Sequence, residues 1–154
     1  DRLLQAAREA SGANQHLRAR RYLTMARKLI PLEPTDAELL AAAERKLEPI
    51  RAEIELYEQG EYAQVIPQLW RKRDEDPANG DVRMLLVDAY YNLAVADLQR
   101  GQAGEAAKKL RDALEVDPKG RDLERLLLFA QSYENRTEDM LYRIFVKYLP
   151  ERKL

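Results

Sequence analysis

Side chains that could perform acid–base or covalent chemistry are scarce in this sequence. His16 is the only histidine and there is no cysteine, which excludes disulfides, thiolate nucleophiles and cysteine metal ligands. Neither a G-x-S-x-G nucleophile elbow nor a phosphate-binding glycine loop is present. The 27 acidic residues are balanced by 26 Lys and Arg, as expected for the solvated faces of charged helices. The sequence therefore predicts a protein that is not an enzyme and that uses no cofactor or metal.

A cluster of cations near the start of the chain could bind phosphate or an acidic partner. This basic cluster consists of Arg18, Arg20, Arg21, Arg27 and Lys28. Residues 1–34 carry seven Lys or Arg against three Asp or Glu, whereas residues 35–60 carry three against seven. We expect the basic cluster to complement the acidic stretch within the fold. A nucleic-acid or anionic-surface binder is the alternative, which a net charge of −1 disfavours.

The last predicted helix is unusually apolar for the end of a domain. In EDMLYRIFVKYL, residues 138–149, only Arg143 and Lys147 form a polar stripe after the first turn. The apolar face that we expect to be exposed there consists of Leu141, Ile144, Phe145 and Tyr148. Large apolar patches at a surface usually mark an interface. This face therefore predicts a homodimer or a continuing array.

Helical periodicity covers nearly the whole chain, and no β pattern survives. The predicted helices are 2–10, 14–30, 35–58, 62–75, 81–100, 103–116, 120–134 and 138–149. We expect Pro49 to interrupt the third helix, Thr35 to cap its start in a capping box, and Thr137 to cap the last helix. No apolar run approaches the ~18 residues of a membrane span. The fold class is all-α.

Two helix–turn–helix units repeat at a fixed spacing. Gly60 and Gly101 are 41 residues apart, as are Pro77 and Pro118. Asn135 follows Gly101 by 34 residues and is expected to adopt the left-handed conformation that glycine supplies at the other two turns. Self-similarity of this kind is typical of stacked helical hairpins.

The clearest unit ends at Pro118 and resembles the tetratricopeptide repeat, whose unit is about 34 residues of helix–turn–helix. The residues at positions typical of that family are Tyr90, Leu93, Ala94, Ala106, Leu110, Ala113 and Pro118. Asp97 departs from the pattern, since a Tyr is usual there. The resemblance implies one domain with a TPR-like α-solenoid of antiparallel helical hairpins. Its hairpins would cover approximately 1–34, 35–77, 78–118 and 119–150.

The resemblance also implies a groove, lined by the first helix of each hairpin, that binds a partner peptide or helix. The residues expected to line it are Tyr57, Asp88, Tyr91, Val95, Arg125, Phe129 and Tyr133. Asn92 is similar to an Asn of the carboxylate clamp that some family members carry, but Asp122 and Leu126 stand where that clamp needs cations. We therefore predict a protein-interaction or assembly scaffold without that clamp. The alternative is a dimerisation or spacer module that uses the apolar last helix.

The context of the domain is predicted from weaker signals. The chain starts at Asp1 and already has a helical pattern there, as expected of a domain cut from a longer protein. Arg outnumbers Lys by 18 to 8, which favours a bacterial origin. The cytoplasm is favoured over the periplasm as its compartment.

Overall fold

The structure is a computed structural model that describes residues 2–154, and it is all-helical. Within that range there are nine α-helices, one 3-10 turn at Glu48–Ile50, and no strand. The helices are α1 (Arg2–Gly12), α2 (His16–Leu29), α3 (Pro34–Leu47), α4 (Arg51–Glu58), α5 (Tyr62–Glu75), α6 (Gly80–Gln99), α7 (Ala103–Val116), α8 (Arg121–Ser132) and α9 (Met140–Lys147). The predicted all-α class is confirmed, and the 3-10 turn is the predicted interruption at Pro49.

Both predicted threonine caps are wrong. Helix α3 begins at Pro34, which puts Thr35 inside the first turn. Proline suits that first position because it has no N–H to leave unsatisfied and its φ is already helical. Helix α9 is capped by Asp139, whose Oδ1 accepts the Tyr142 N–H at 2.9 Å. Thr137 therefore lies outside the helix.

Left-handed residues form two of the three turns expected to contain one. Gly60 and Gly101 have φ values of 77° and 74°. Among the described residues, the one non-glycine with a positive φ is Asn14, at 56°, so the prediction for Asn135 is wrong. Seven residues connect α8 to α9, against three at each glycine turn. The longer connection reverses the chain without a left-handed residue.

Helix α6 is the centre of the molecule. It packs against α5 and α7, and it also contacts α4 and α9. Its buried side chains lie on more than one face of the helix: Val82, Leu85, Leu86, Val87, Ala89, Tyr91, Ala94, Val95 and Leu98. Helices α1 to α3 pack together around the smaller clusters of Ala7, Leu23 and Leu40 and of Ala10, Ala19 and Ala43.

Three of the buried carboxylates have partners on this scaffold. Asp36 accepts three hydrogen bonds from the Arg8 guanidinium, and Asp97 is paired with Arg100 and Lys109. Asp81 accepts the Leu17 N–H at 3.0 Å, which ties the start of α2 to α6. From Arg2 to Leu154, no helix combines the length and the apolar character needed to cross a membrane.

Candidate functional site

A stretch of chain without regular structure lies across α6 and is held there by its backbone. It comprises residues 149–154, the 149–154 segment, which follows α9. The side-chain amide of Asn92 contacts both backbone polar groups of Arg152. Its Oδ1 accepts the Arg152 N–H at 2.8 Å, and its Nδ2 donates to the Arg152 carbonyl at 3.0 Å. Asn92 is 1% exposed, and its two hydrogen bonds to Arg152 are partly buried.

The hydroxyl of Tyr57 completes this contact. It donates to the same Arg152 carbonyl at 2.5 Å and accepts a hydrogen bond from Asn92 Nδ2 at 3.0 Å. Burial, and the nearby charge of Asp88, raise the pKa of the Tyr57 hydroxyl far above its usual range. The hydroxyl therefore keeps its proton and acts as a donor. We call Asn92 and Tyr57 the amide clamp.

The Arg152 side chain enters a second set of contacts, the arginine pocket, formed by Asp88, Tyr91 and Asp122. One terminal nitrogen of the guanidinium lies 2.8 Å from Asp88 Oδ1, and the other lies 3.3 Å from Asp122 Oδ2. Its central carbon lies 4.0 Å from the centroid of the Tyr91 ring, a cation–π contact. Burial raises the pKa of Asp88, and the hydrogen bond and charge of Arg152 oppose that rise.

Further contacts extend along the segment. Arg21 on α2 donates to the Lys153 carbonyl at 3.0 Å. Leu149 and Leu154 are half-buried and pack against the main hydrophobic core. Clefts of about 700 Å³ and about 470 Å³ adjoin the segment, the first beside α2 and α8 and the second beside Tyr57 and Tyr62. The chain thus crosses a concave surface without filling it.

Three of the predicted groove residues meet at this surface. Tyr57, Asp88 and Tyr91 all contact Arg152. Their aromatic rings are buried, however, and the surface around them is occupied by the chain's own segment. Arg125 is exposed on α8.

The other three predicted groove residues pack against other parts of the fold, Val95 and Tyr133 as buried residues and Phe129 as a partly buried one, so the prediction that they line an open groove is wrong. Val95 is 1% exposed and belongs to the core. Phe129 stacks on the ring of Tyr142 on α9, with centroids 5.5 Å apart, and Tyr133 meets the same ring edge to face, with centroids 4.9 Å apart. The reason is that α9 folds back onto α6 and α8 and covers them.

The roles of Asn92 and Arg152 are the main features that the sequence interpretation missed. In sequence, Asn92 is similar to an Asn of a carboxylate clamp, but Asp122 and Leu126 are not the cations which that clamp needs. The structure places an acidic pocket at Asp122, which pairs with a cation instead, whereas Leu126 is buried. The available signal was the pair Asp88 and Asn92, two polar residues one turn apart on a mostly apolar helix.

The basic cluster is partly used within the fold. Arg20 pairs with Glu58 at 3.2 Å, which is the predicted contact with the acidic stretch. Arg21 contacts the 149–154 segment. Arg18 lines the cleft beside that segment, and Arg27 and Lys28 are exposed in the last turn of α2.

Helix α9 has a buried side and an exposed side. Tyr142 and Val146 are buried, and the Tyr142 hydroxyl donates to the Leu98 carbonyl at 2.5 Å. Burial raises the pKa of Tyr142 to about 12. The outward residues are exposed, as predicted: Leu141 at 74%, Ile144 at 53%, Phe145 at 43% and Tyr148 at 74%. We call these four the outer face of α9.

Comparison with known proteins finds no matching family model, no matching curated protein and no matching solved structure. The tetratricopeptide resemblance therefore stays a prediction.

Proposed function

We propose that this domain is a tetratricopeptide-like α-solenoid and a non-catalytic interaction module that binds an extended peptide across α6. The observation that carries the proposal is the amide clamp, in which Asn92 contacts both the N–H and the carbonyl of one residue of an extended chain. Two backbone hydrogen bonds of this kind are independent of the bound residue's side chain. A partner peptide could therefore make the same contacts as the 149–154 segment.

The segment acts in this proposal as an intramolecular ligand. A tethered ligand has an effective concentration on the order of mM, so a peptide from a partner must compete with it. The apparent dissociation constant of such a peptide is its intrinsic value divided by the fraction of molecules whose groove is free. Weakening the segment by about 1.4 kcal/mol therefore tightens the binding of an added peptide by up to about tenfold.

The test is a fluorescence-anisotropy titration with a labelled peptide of sequence YLPERKL, which copies residues 148–154. The peptide is titrated into the full wild-type chain and into the full chain carrying Arg152→Ala, which weakens the resident segment. We expect about tenfold tighter binding to the Arg152→Ala chain. Adding Asn92→Ala to that chain should weaken peptide binding by at least tenfold, because both backbone contacts are lost.

A check of folding and a substitute variant keep this test decisive. Circular dichroism checks that each variant keeps its helices. If Asn92→Ala unfolds the chain, Tyr57→Phe replaces it, since that change removes one hydroxyl donor and should weaken the peptide about two- to tenfold. Absence of binding to every folded variant, or binding that neither substitution changes, would refute the peptide groove.

A second function is favoured by the outer face of α9, which is apolar and uncovered in this chain. Contiguous exposed apolar surface of this kind is typical of protein interfaces. Homodimerisation through the outer face of α9 is therefore the second candidate. It predicts a monomer–dimer equilibrium that depends on Leu141, Ile144, Phe145 and Tyr148.

A further inference from the structure

The Arg152 side chain, at the centre of the 149–154 segment, contacts three groups at once. Each terminal nitrogen of the Arg152 guanidinium contacts a different carboxylate, Asp88 on α6 and Asp122 on α8. The ring of Tyr91 covers the planar face of the same group. A planar guanidinium offers several donors and a face that stacks on aromatic rings, whereas the ammonium of lysine is a single point charge. This arrangement therefore matches arginine better than lysine.

The burial of Asp88 adds a penalty against uncharged residues. The Asp88 side chain is 16% exposed, while that of Asp122 is 78% exposed. A carboxylate shielded from water is destabilised unless a cation or hydrogen-bond donors face it. A peptide with a neutral residue at this position would leave Asp88 without the guanidinium. Asp88 is thus the residue that we expect to determine specificity.

Two apolar side chains set the register around the arginine. Leu149 lies three positions before Arg152 and Leu154 lies two positions after it, and both pack against the core. Because the amide clamp fixes the backbone of residue 152, the two leucines lie against the core in the same register that places the arginine in its pocket. The three side chains and the clamp therefore define one sequence pattern rather than separate contacts.

We propose that the groove is an arginine-selective site for extended peptides of the pattern apolar-x-x-Arg-x-apolar. The 149–154 segment is its intramolecular example, and the external ligand is a segment of a partner protein with the same pattern. This inference rests on the proposed peptide-binding function and adds the class of ligand. Asp88, Tyr91 and Asp122 recognise the side chain, and Asn92 and Tyr57 hold the backbone.

The test compares three labelled peptides on the full chain carrying Arg152→Ala. The first is YLPERKL, and the other two replace its arginine by lysine or by citrulline, which is neutral and has nearly the same shape. We expect the arginine peptide to bind about tenfold more tightly than the lysine peptide and at least tenfold more tightly than the citrulline peptide. Adding Asp88→Asn should reduce the preference for arginine to about twofold or less. The matched control, Asp112→Asn on the exposed surface of α7, should leave it unchanged.

The outcomes separate this inference from the function on which it rests. Equal binding of all three peptides, with loss on Asn92→Ala, would overturn arginine selectivity and leave the peptide groove standing. An arginine preference that Asp88→Asn does not reduce would overturn the assignment of the pocket. Absence of binding by all three peptides would overturn both proposals.

Discussion

The groove across α6 and the outer face of α9 are two surfaces of the same domain, and they differ in kind. In the groove, backbone groups and a guanidinium meet matched partners, namely an amide, a hydroxyl and two carboxylates. The outer face of α9 offers apolar side chains that are between 43% and 74% exposed. The groove is occupied by the 149–154 segment through hydrogen bonds, which depend on direction. The outer face of α9 is exposed, and the burial of its apolar side chains has no preferred direction.

This difference indicates what each surface can recognise. Hydrogen bonds depend on distance and angle, so a groove built from them selects one backbone path and one side chain. Apolar burial is roughly proportional to area and has no direction, so the outer face of α9 would accept any complementary apolar surface. Specific recognition is therefore expected in the groove, and association of lower specificity at α9.

The largest expected effect on the free energy of unfolding comes from a substitution on the buried side of α9. Tyr142 is 2% exposed, packs against the rings of Phe129 and Tyr133, and donates to the Leu98 carbonyl. Tyr142→Ala should lower the free energy of unfolding by about 3–5 kcal/mol, because a buried aromatic ring is lost. Chemical denaturation followed by circular dichroism measures this change.

The matched control lies on the same helix. Tyr148 is 74% exposed, so Tyr148→Ala should change the free energy of unfolding by no more than about 0.5 kcal/mol. Similar losses for the two variants would mean that α9 is not docked through Tyr142, and the contrast between its two sides would fail.

The sequence predicted those features of the fold that depend on local patterns. Helical periodicity is local and correctly predicted the all-α fold, and Pro49 correctly predicted the break after α3. Periodicity also correctly predicted that the outer face of α9 would be exposed. The two threonine caps failed because a neighbouring Pro34 and Asp139 provide better helix starts, a choice that periodicity does not reveal.

The candidate site was predictable only in part, because it depends on how the end of the chain folds back onto earlier helices. Tyr57, Asp88 and Tyr91 share a surface that follows from the helices themselves. The return of α9 onto Phe129 and Tyr133, and of the 149–154 segment onto Asn92, is made by irregular connections. Such connections have no periodicity from which their path could be read. Non-local docking of this kind becomes visible only in three dimensions.

The second prediction concerns pH, which should change the contribution of Asp88 to folding stability and the docking of Arg152 in opposite directions. Its pKa is raised from an ordinary 3.8, chiefly by burial, and the charges of Arg152 and Arg18 oppose the rise. The unfolded chain therefore loses this proton at a lower pH than the folded chain does. The contribution of Asp88 to folding stability is largest at low pH and falls as the pH rises through the raised pKa.

Docking of Arg152 should change in the opposite direction, because only the ionised carboxylate pairs with the guanidinium. Acidification through the pKa of Asp88 should loosen Arg152 while the contribution of Asp88 to folding improves. NMR titration of the Asp88 carboxyl carbon and the Arg152 side-chain nitrogens measures both groups. In the Asp88→Asn variant this pH step in the Arg152 signals should disappear. Arg152 signals that do not change over the pH range in which Asp88 titrates would contradict the ion pair as the basis of the pocket.

The smallest expected effect on stability belongs to the outer face of α9, where the effect on association should be large. Ile144 is 53% exposed, so Ile144→Glu should change the unfolding free energy of the monomer by about 0.5 kcal/mol or less. A carboxylate in the middle of an apolar interface is strongly unfavourable unless it is paired. If α9 forms a homodimer, sedimentation at increasing concentration should show a dimer for the wild type and at least tenfold weaker association for Ile144→Glu.

The control is Gln131→Glu, which introduces the same charge at an exposed position on α8 and should leave the association unchanged. A wild type that stays monomeric at high concentration would remove the homodimer from consideration. Equal weakening by both substitutions would point to net charge rather than to the outer face of α9. Because neither substitution touches Asn92, Tyr57 or the arginine pocket, peptide binding in the groove should be the same in both. The two surfaces would then be shown to act independently.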